Sequence, residues 1–326
     1  MREFSIPESR VTDRAGSSAI NRGLMRKMTT SESLAGNTFA PKPVAVVDGR
    51  VRVEAVEVNV VRHCNISCRS CSHGSPSMRP WFADPGQVER DLAALTSWMA
   101  VEHVRILGGE PLLHPRLPDL LRAARRSGLG ERRRLITNGL QLAEQPDEFW
   151  AEVEEIHVSV YPNTAQHLER ARPAIARLAE RTGTTVRFKH FDHFRVAFRR
   201  EEDHPELTQD IYETCQIGNR WRCISVDSGA LHRCPQAMLA PDAVAEDRLA
   251  IADIDSAEAV RAWLLRPDAL HGCRGCAGSV GVRRPHRARV PGDADILPYS
   301  LDLDYLGRLR VDGDADNGCV SVDEPC

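Results

Sequence analysis

Between residues 51 and 190 two hydrophobic rhythms take turns along the chain. Val51, Val53, Val56, Val58 and Val60 recur at close to every second position, the period of a strand. Asp84-Pro85 then opens a helix, with Asp84 suited to the N-cap, Pro85 to the first turn and Gln87 to the capping-box position. Val88, Leu92, Leu95 and Met99 form one apolar stripe along it. His103 to Leu107 reads as a short strand, and Leu117, Leu120, Leu121 and Ala124 mark a helix that Gly128 closes. Further strands are predicted at Arg134–Ile136, Ile156–Val160 and Thr185–Phe188, with a helix through Leu178, stopped by Gly183, between the last two. Regular alternation of this kind predicts an α/β fold, a parallel sheet with helices outside it. In (β/α) barrels the chemistry gathers at the C-terminal ends of the strands.

Four polar motifs fall at such ends: Cys64-x3-Cys68-x2-Cys71, then Gly108-Gly109-Glu110-Pro111, then Thr137-Asn138-Gly139, then Ser159 to Tyr161. Three thiolates on a 4Fe–4S cluster leave one iron open to a further ligand. The triad alone would also suit a zinc loop. Together with the Gly-Gly-Glu-Pro segment it resembles the radical S-adenosylmethionine (SAM) superfamily. The resemblance implies an open six-stranded partial barrel, with Cys64, Cys68 and Cys71 holding a 4Fe–4S cluster. It implies that Gly108 and Gly109 let backbone approach the cofactor, that Glu110 meets the methionine ammonium of SAM, and that Pro111 fixes the turn. Thr137 and Asn138 match polar positions near the cofactor's ribose and carboxylate, and Ser159 is a weaker match; ordinary strand-end capping is the plainer alternative for all three. The family usually has an aromatic residue before the last cysteine. Here it is Ser70, which leaves the adenine contact to another residue such as His73.

After residue 190 the alternation stops and a second set of cysteines begins: Cys215, Cys223, Cys234, Cys273 and Cys276. Trp221–Val226 and Ala230–Arg233 read as two strands around a Ser228-Gly229 turn. This pattern resembles the twitch module, a shortened SPASM domain that carries an auxiliary 4Fe–4S cluster. Cys215, Cys234, Cys273 and Cys276 fit its four ligand positions, which leaves Cys223 as a free thiol. A set that uses Cys223 and frees Cys215, or a structural zinc site, also satisfies the spacing. Cys319 and Cys326 have no ligand spacing.

The expected architecture is therefore a partial (β/α)6 TIM-like barrel with a small C-terminal β-hairpin auxiliary iron–sulfur domain. Its divisions are a disordered leader at 1–42, the barrel at 43–205, the auxiliary domain at 206–282 and a polar tail at 283–326. The leader looks too short and too polar for the winged-helix domain of many peptide-maturing enzymes. A net charge of −3 gives no electrostatic case for a nucleic-acid partner. With neither a membrane-length apolar run nor a signal-peptide core, a cytoplasmic protein is expected. In that compartment ten cysteines read as metal or cluster ligands rather than disulfides. The runs Arg132–Arg134 and Arg283, Arg284, His286, Arg287, Arg289 read as solvated faces, with an anion grip as the alternative for the second. Asp192 and His193, just beyond a barrel strand, are expected from position alone to contact a substrate or to serve as an acid/base pair.

The resemblance implies that a 5′-deoxyadenosyl radical takes a hydrogen atom from a small polar substrate, an aminocyclitol or sugar, with electrons from a flavodoxin- or ferredoxin-type donor. In architecture the chain resembles enzymes of the aminocyclitol dehydrogenase and aminoglycoside epimerase type. An auxiliary cluster suits electron removal and so dehydrogenation, whereas a catalytic Cys223 would return a hydrogen atom and give epimerisation. A peptide maturase, or a non-catalytic iron–sulfur or zinc protein, are the other expectations.

Overall fold

The computed structural model describes residues 39, 41–199, 204–240, 244–290 and 300–312. The expected disordered leader lies almost wholly outside the described residues, as do Cys319 and Cys326.

Strand β1 (Ala45–Val47) turns back at Asp48-Gly49 onto β2 (Arg50–Val61). Then β3 (Met99–Gly108), β4 (Arg132–Thr137), β5 (Glu155–Val160) and β6 (Thr185–His190) add in chain order, each parallel to the last. Helices α1 (Pro85–Leu95), α2 (Leu117–Arg126), α3 (Asp147–Trp150) and α4 (Ala165–Thr182) fill the crossovers. Beyond them come β7 (His193–Arg195), α5 (Pro205–Glu213), α6 (Gln216–Asn219), β8 (Ile224–Asp227), β9 (Ala230–His232), α7 (Pro235–Leu239), β10 (Arg248–Ala250), α8 (Ala257–Leu264), β11 (Arg283–Pro285) and α9 (Leu303–Asp312). The sheet is mostly parallel with helices packed on it, an α/β fold consistent with a partial TIM-like barrel. Among the described residues no helix is long and apolar enough to cross a membrane.

The sequence periodicity misplaced one residue. Met99 fits the α1 stripe, yet the helix ends at Leu95 and Met99 opens β3, buried all the same. Asp84 does cap α1, accepting from the Gln87 amide at 2.9 Å. The Gln87 side chain does not close the reciprocal half of a capping box. It donates instead to Asp91 at 2.7 Å.

Two larger departures concern the C-terminal third. The hairpin β8–β9 turns at Ser228 and Gly229, both with positive φ (48° and 80°), as a two-residue hairpin of the mirror type needs. It does not stand apart as a small domain. Strand β8 lies parallel to β2 on the side away from β3, pairing Val56 with Ile224, so the sixth parallel strand comes from the C-terminal third. Asp91 of α1 pins the turn by accepting from the Gly229 amide at 2.9 Å. The segment expected as a polar tail contains β11, paired antiparallel with β7, and α9, whose Tyr305, Leu306 and Leu309 are buried with Phe39, Ile211 and Val280. Charged neighbours masked an amphipathic helix there.

Register places Glu57 of β2 beside Arg105 of β3, Arg105 beside Arg134 of β4, and Arg134 beside Glu155 of β5. Register partners project from the same face, so a row of two arginines flanked by two glutamates crosses the sheet. Arg105 pairs with Glu54 at 2.6 Å and Glu57 at 3.5 Å, and Arg134 with Glu155 at 2.9 Å. The Arg132–Arg134 run is thus no solvated face: Arg133 and Arg134 are buried, and Arg133 pairs with Glu154.

Candidate active site

The cysteine loop leaves the end of β2 and rests on the end of β3. Gly109 N–H donates to Val61 O at 2.6 Å, and Glu110 N–H to His63 O at 3.0 Å. A Cβ on Gly108 would meet Val61 O at 2.2 Å, and one on Gly109 would meet His63 O at 2.0 Å. The two glycines are therefore needed first to seat the cysteine loop itself, before any ligand is considered. Burial, with smaller contributions from Glu110 and Cys71, pushes the Cys64 thiol up to about 11, and burial with Cys71 and Cys64 pushes the Cys68 thiol up to about 12. Cys64, Cys68 and Cys71 line a cavity of about 370 Å³ together with Gly108, Gly109, Thr137, Asn138 and Ser159.

Glu110 is the best-held polar group of the site. It is 1% exposed. Its carboxylate accepts from Thr137 Oγ1 at 2.6 Å, the Asn138 amide at 2.8 Å and the Leu112 amide at 2.9 Å. Burial raises its pKa to about 7 despite these three donors. Thr137 thus turns its hydroxyl onto Glu110, and Asn138 donates to Asn65 at 2.7 Å and toward Cys64 Sγ at 3.6 Å. Pro111 is buried at the start of a 3-10 turn after Glu110. His73 lines the cavity, and burial lowers its pKa to about 4, so it is neutral; its Nε2 has no partner among the described residues. His193 lines the cavity, whereas Asp192 contributes its backbone carbonyl to the His286 amide at 2.7 Å.

Within the second set of cysteines, Cys215, Cys234, Cys273 and Cys276 act on one another electrostatically. Besides burial, Cys215, Cys273 and Cys276 all raise the Cys234 thiol, and Cys276 and Cys215 raise Cys273. Backbone amides already point at two of these sulfurs, Ala237 N–H to Cys234 at 3.3 Å and Gly278 N–H to Cys276 at 3.2 Å. Cys223, whose thiol is raised by burial and also by Cys215, directly precedes β8. It lines the same cavity as the triad and donates to the Glu57 carboxylate, and burial holds its thiol well above the ordinary range. Among the described residues no three Cys, His, Asp or Glu side chains close tightly enough to hold a single metal ion.

Residues 58–190 match the model of the radical SAM superfamily. The chain carries a radical SAM domain. Its curated relatives include a GTP 3′,8-cyclase of Chlorobaculum tepidum, 34% identical over 113 residues that make up 34% of each chain. GTP 3′,8-cyclase 1 of Mycobacterium tuberculosis is 31% identical over 118 residues, 33% of this chain and 32% of that protein. The chain thus spans about a third of the length of these relatives. Among solved structures, BtrN in complex with AdoMet and 2-DOIA aligns over 68% of this chain and 92% of its own, at 17% identity and a TM-score of 0.41. Streptococcus suis SuiB bound to S-adenosylmethionine aligns over 68% of both chains, at 14% identity and a TM-score of 0.35.

A radical SAM domain implies a 4Fe–4S cluster and SAM, and the residues present fit them. Three thiols, Cys68 buried and Cys64 and Cys71 half-buried, line the same cavity. The same region holds a buried carboxylate, Glu110, which burial raises to about 7, chemistry that suits an incoming ammonium. Sequence reasoning missed Glu57, which lines this cavity, and read His286 only as one member of a charged run. Glu57 had a signal. It and Asn59 alternate with Val56, Val58 and Val60 in a strand buried on both faces, which puts acid and amide on the inner face of the barrel. His286 Nε2 lies 3.2 Å from Cys68 Sγ, a contact between residues far apart in the chain that no local pattern announces.

Proposed function

We propose that this chain is a radical SAM enzyme that inverts a carbinol centre of a small polyol or sugar held in the cavity between the cysteine triad and Cys223. The observation that carries this reading is that Cys223, a buried thiol, opens onto the same cavity as Cys64, Cys68 and Cys71. When bound, the cluster and SAM supply a 5′-deoxyadenosyl radical, which removes a hydrogen atom from the substrate carbon. The remaining chemistry belongs to the chain. Cys223, kept protonated by burial, gives its S–H hydrogen atom to the substrate radical from the opposite face. The thiyl radical left behind returns to the thiol with one electron from an external donor of the flavodoxin or ferredoxin class and one proton from solvent. The proton is relayed through Glu57, whose pKa burial raises. Cys215, Cys234, Cys273 and Cys276 would hold an auxiliary cluster that passes the electron on. The mixed lining suits a small hydroxylated molecule: Glu57, His157, Ser159 and Lys189 on the walls with apolar surface between.

Turnover of the native substrate in deuterated water tests this. Deuterium at an inverted carbon, and a Cys223→Ala variant that still forms 5′-deoxyadenosine but no epimer, are the expected results. A ketone product with full activity in Cys223→Ala would replace inversion by dehydrogenation. A second reading, a phosphorylated or nucleotide substrate, draws on Lys189, Arg195 and Arg283 in the cavity lining and on the cyclase relatives. GTP-dependent formation of 5′-deoxyadenosine would favour it.

A further inference from the structure

We propose that Arg283–Arg289 is a strap built into the cluster site, on which His286 donates a hydrogen bond to the Cys68 thiolate and raises the cluster's reduction potential. The inference rests on the reading of Cys64, Cys68 and Cys71 as cluster ligands.

The strap first runs as β11, pairing Arg283 with Arg195 and Pro285 with His193. It then crosses onto the cysteine loop. His286 N–H donates to Asp192 O at 2.7 Å, Arg69 N–H to Arg287 O at 3.0 Å, and Arg289 N–H to Ser67 O at 2.9 Å. Cys68 and Ala288 face each other as an antiparallel bridge. The middle ligand of the triad is therefore held by backbone pairing to a segment more than two hundred residues downstream.

The side chain of His286 completes the contact. Its Nε2 is 3.2 Å from Cys68 Sγ. The ring stacks on Tyr161, with centroids 4.8 Å apart and planes 11° from parallel, and Phe194 meets it edge-on at 4.8 Å. Two aromatic rings thus fix its plane. Nδ1 is buried without a partner among the described residues, so no competing hydrogen bond explains the orientation. A ligand thiolate offers only lone pairs, so Nε2 carries the hydrogen. Reduction places further negative charge on a cluster and its sulfurs. A donor aimed at one ligand stabilises the reduced state more than the oxidised one, which moves the potential upward. His286 is thus a positioning and tuning residue, acting through Cys68.

The test is an anaerobic redox titration of the reconstituted holoenzyme, following the electron paramagnetic resonance signal that changes when SAM is added. The wild type must show such a signal and the Cys64/Cys68/Cys71 triple alanine variant must lack it. Its absence from the wild type would remove the triad reading and the strap inference with it. His286→Phe keeps the stack on Tyr161 and loses the donor, while His286→Gln keeps a donor near the position of Nε2. The expected result is unchanged iron content in both variants. Reduction should be about tenfold less favourable in His286→Phe, a potential ~59 mV more negative, with His286→Gln close to wild type. An unchanged potential in His286→Phe overturns the inference. So does an equal shift, or equal loss of iron, in both variants.

Discussion

The hydroxyl of Thr137 donates to the Glu110 carboxylate across 2.6 Å, tying the end of β4 to the turn after β3. With the Asn138 and Leu112 amides it presents three donors to a carboxylate that burial still holds near neutrality, at about 7. A buried carboxylate in that state is set to ionise fully when a cation arrives. SAM should therefore bind more tightly as pH rises through about 7, because its ammonium lowers the Glu110 pKa and binding releases a proton; below 7 the affinity should fall by up to roughly tenfold per pH unit. Equilibrium dialysis across that range checks the sign. A flat profile would place the ammonium elsewhere.

Glu110→Gln should weaken SAM binding by roughly 10- to 100-fold, the loss of a charge-assisted bond of about 1.5–3 kcal/mol. Iron content should stay unchanged. The amide nitrogen of glutamine would also face one of the three donors, so the apoprotein should melt somewhat earlier. Calorimetry of apo and SAM-bound forms separates the two effects.

Reconstituted protein is expected to hold about eight irons, from two 4Fe–4S clusters. The Cys64/Cys68/Cys71 triple alanine variant should keep about half and lose all SAM cleavage. Iron near four in the wild type, accompanied by stoichiometric zinc, would assign Cys215, Cys234, Cys273 and Cys276 to a zinc site.

Asp91→Ala should loosen the hairpin rather than α1. The carboxylate is buried and accepts from Gly229 N–H at 2.9 Å and Gln87 at 2.7 Å. Its removal leaves an unsatisfied amide, at a cost of about 1–3 kcal/mol. Denaturant unfolding gives the magnitude. Faster amide exchange at Ser225–His232 than in α1 gives the location, and equal acceleration in both elements would count against it.

Acid should destabilise the sheet through His157. Burial lowers its pKa from 6.5 to about 4 although Glu155 accepts its hydrogen bond at 2.8 Å. Unfolded chains take up a proton there first. Stability is thus fully present above 6.5 and is lost as pH falls toward 4, by about 2 kcal/mol at pH 5. His157→Gln should flatten that part of the curve in thermal melts between those limits. A parallel curve for the variant would assign the loss to other groups.

The barrel strands and helices were legible because their signals are local. A period-two valine run gave β2, the Asp84-Pro85 pair gave the start of α1, and Gly183, with φ of 75°, stopped α4 as expected. The triad and Gly108-Gly109-Glu110 were legible because their spacing is short and fixed by the chemistry they resemble. What failed was long-range. Nothing near residue 224 says that β8 will lie against β2, and Arg283, Arg284 and Arg287 hide a strand and a strap among charges. The glycine pair was legible as a motif but not for its first physical reason, since the backbone it accommodates belongs to Val61 and His63.

The pairing of Val56 with Ile224 also orders events at the ribosome. At 5–20 residues per second, β2 emerges roughly 8–30 s before its outer neighbour exists. During that interval a long valine-rich strand has one open edge, the kind of template that recruits other chains. Nascent chains stalled before residue 220 are therefore expected to bind chaperones or aggregate at Arg50–Val61, whereas chains released after β9 should not. Crosslinking on stalled ribosomes would show the difference. On this account the polar side chains Glu54, Glu57 and Asn59, set among the valines, also act as gatekeepers while the strand waits.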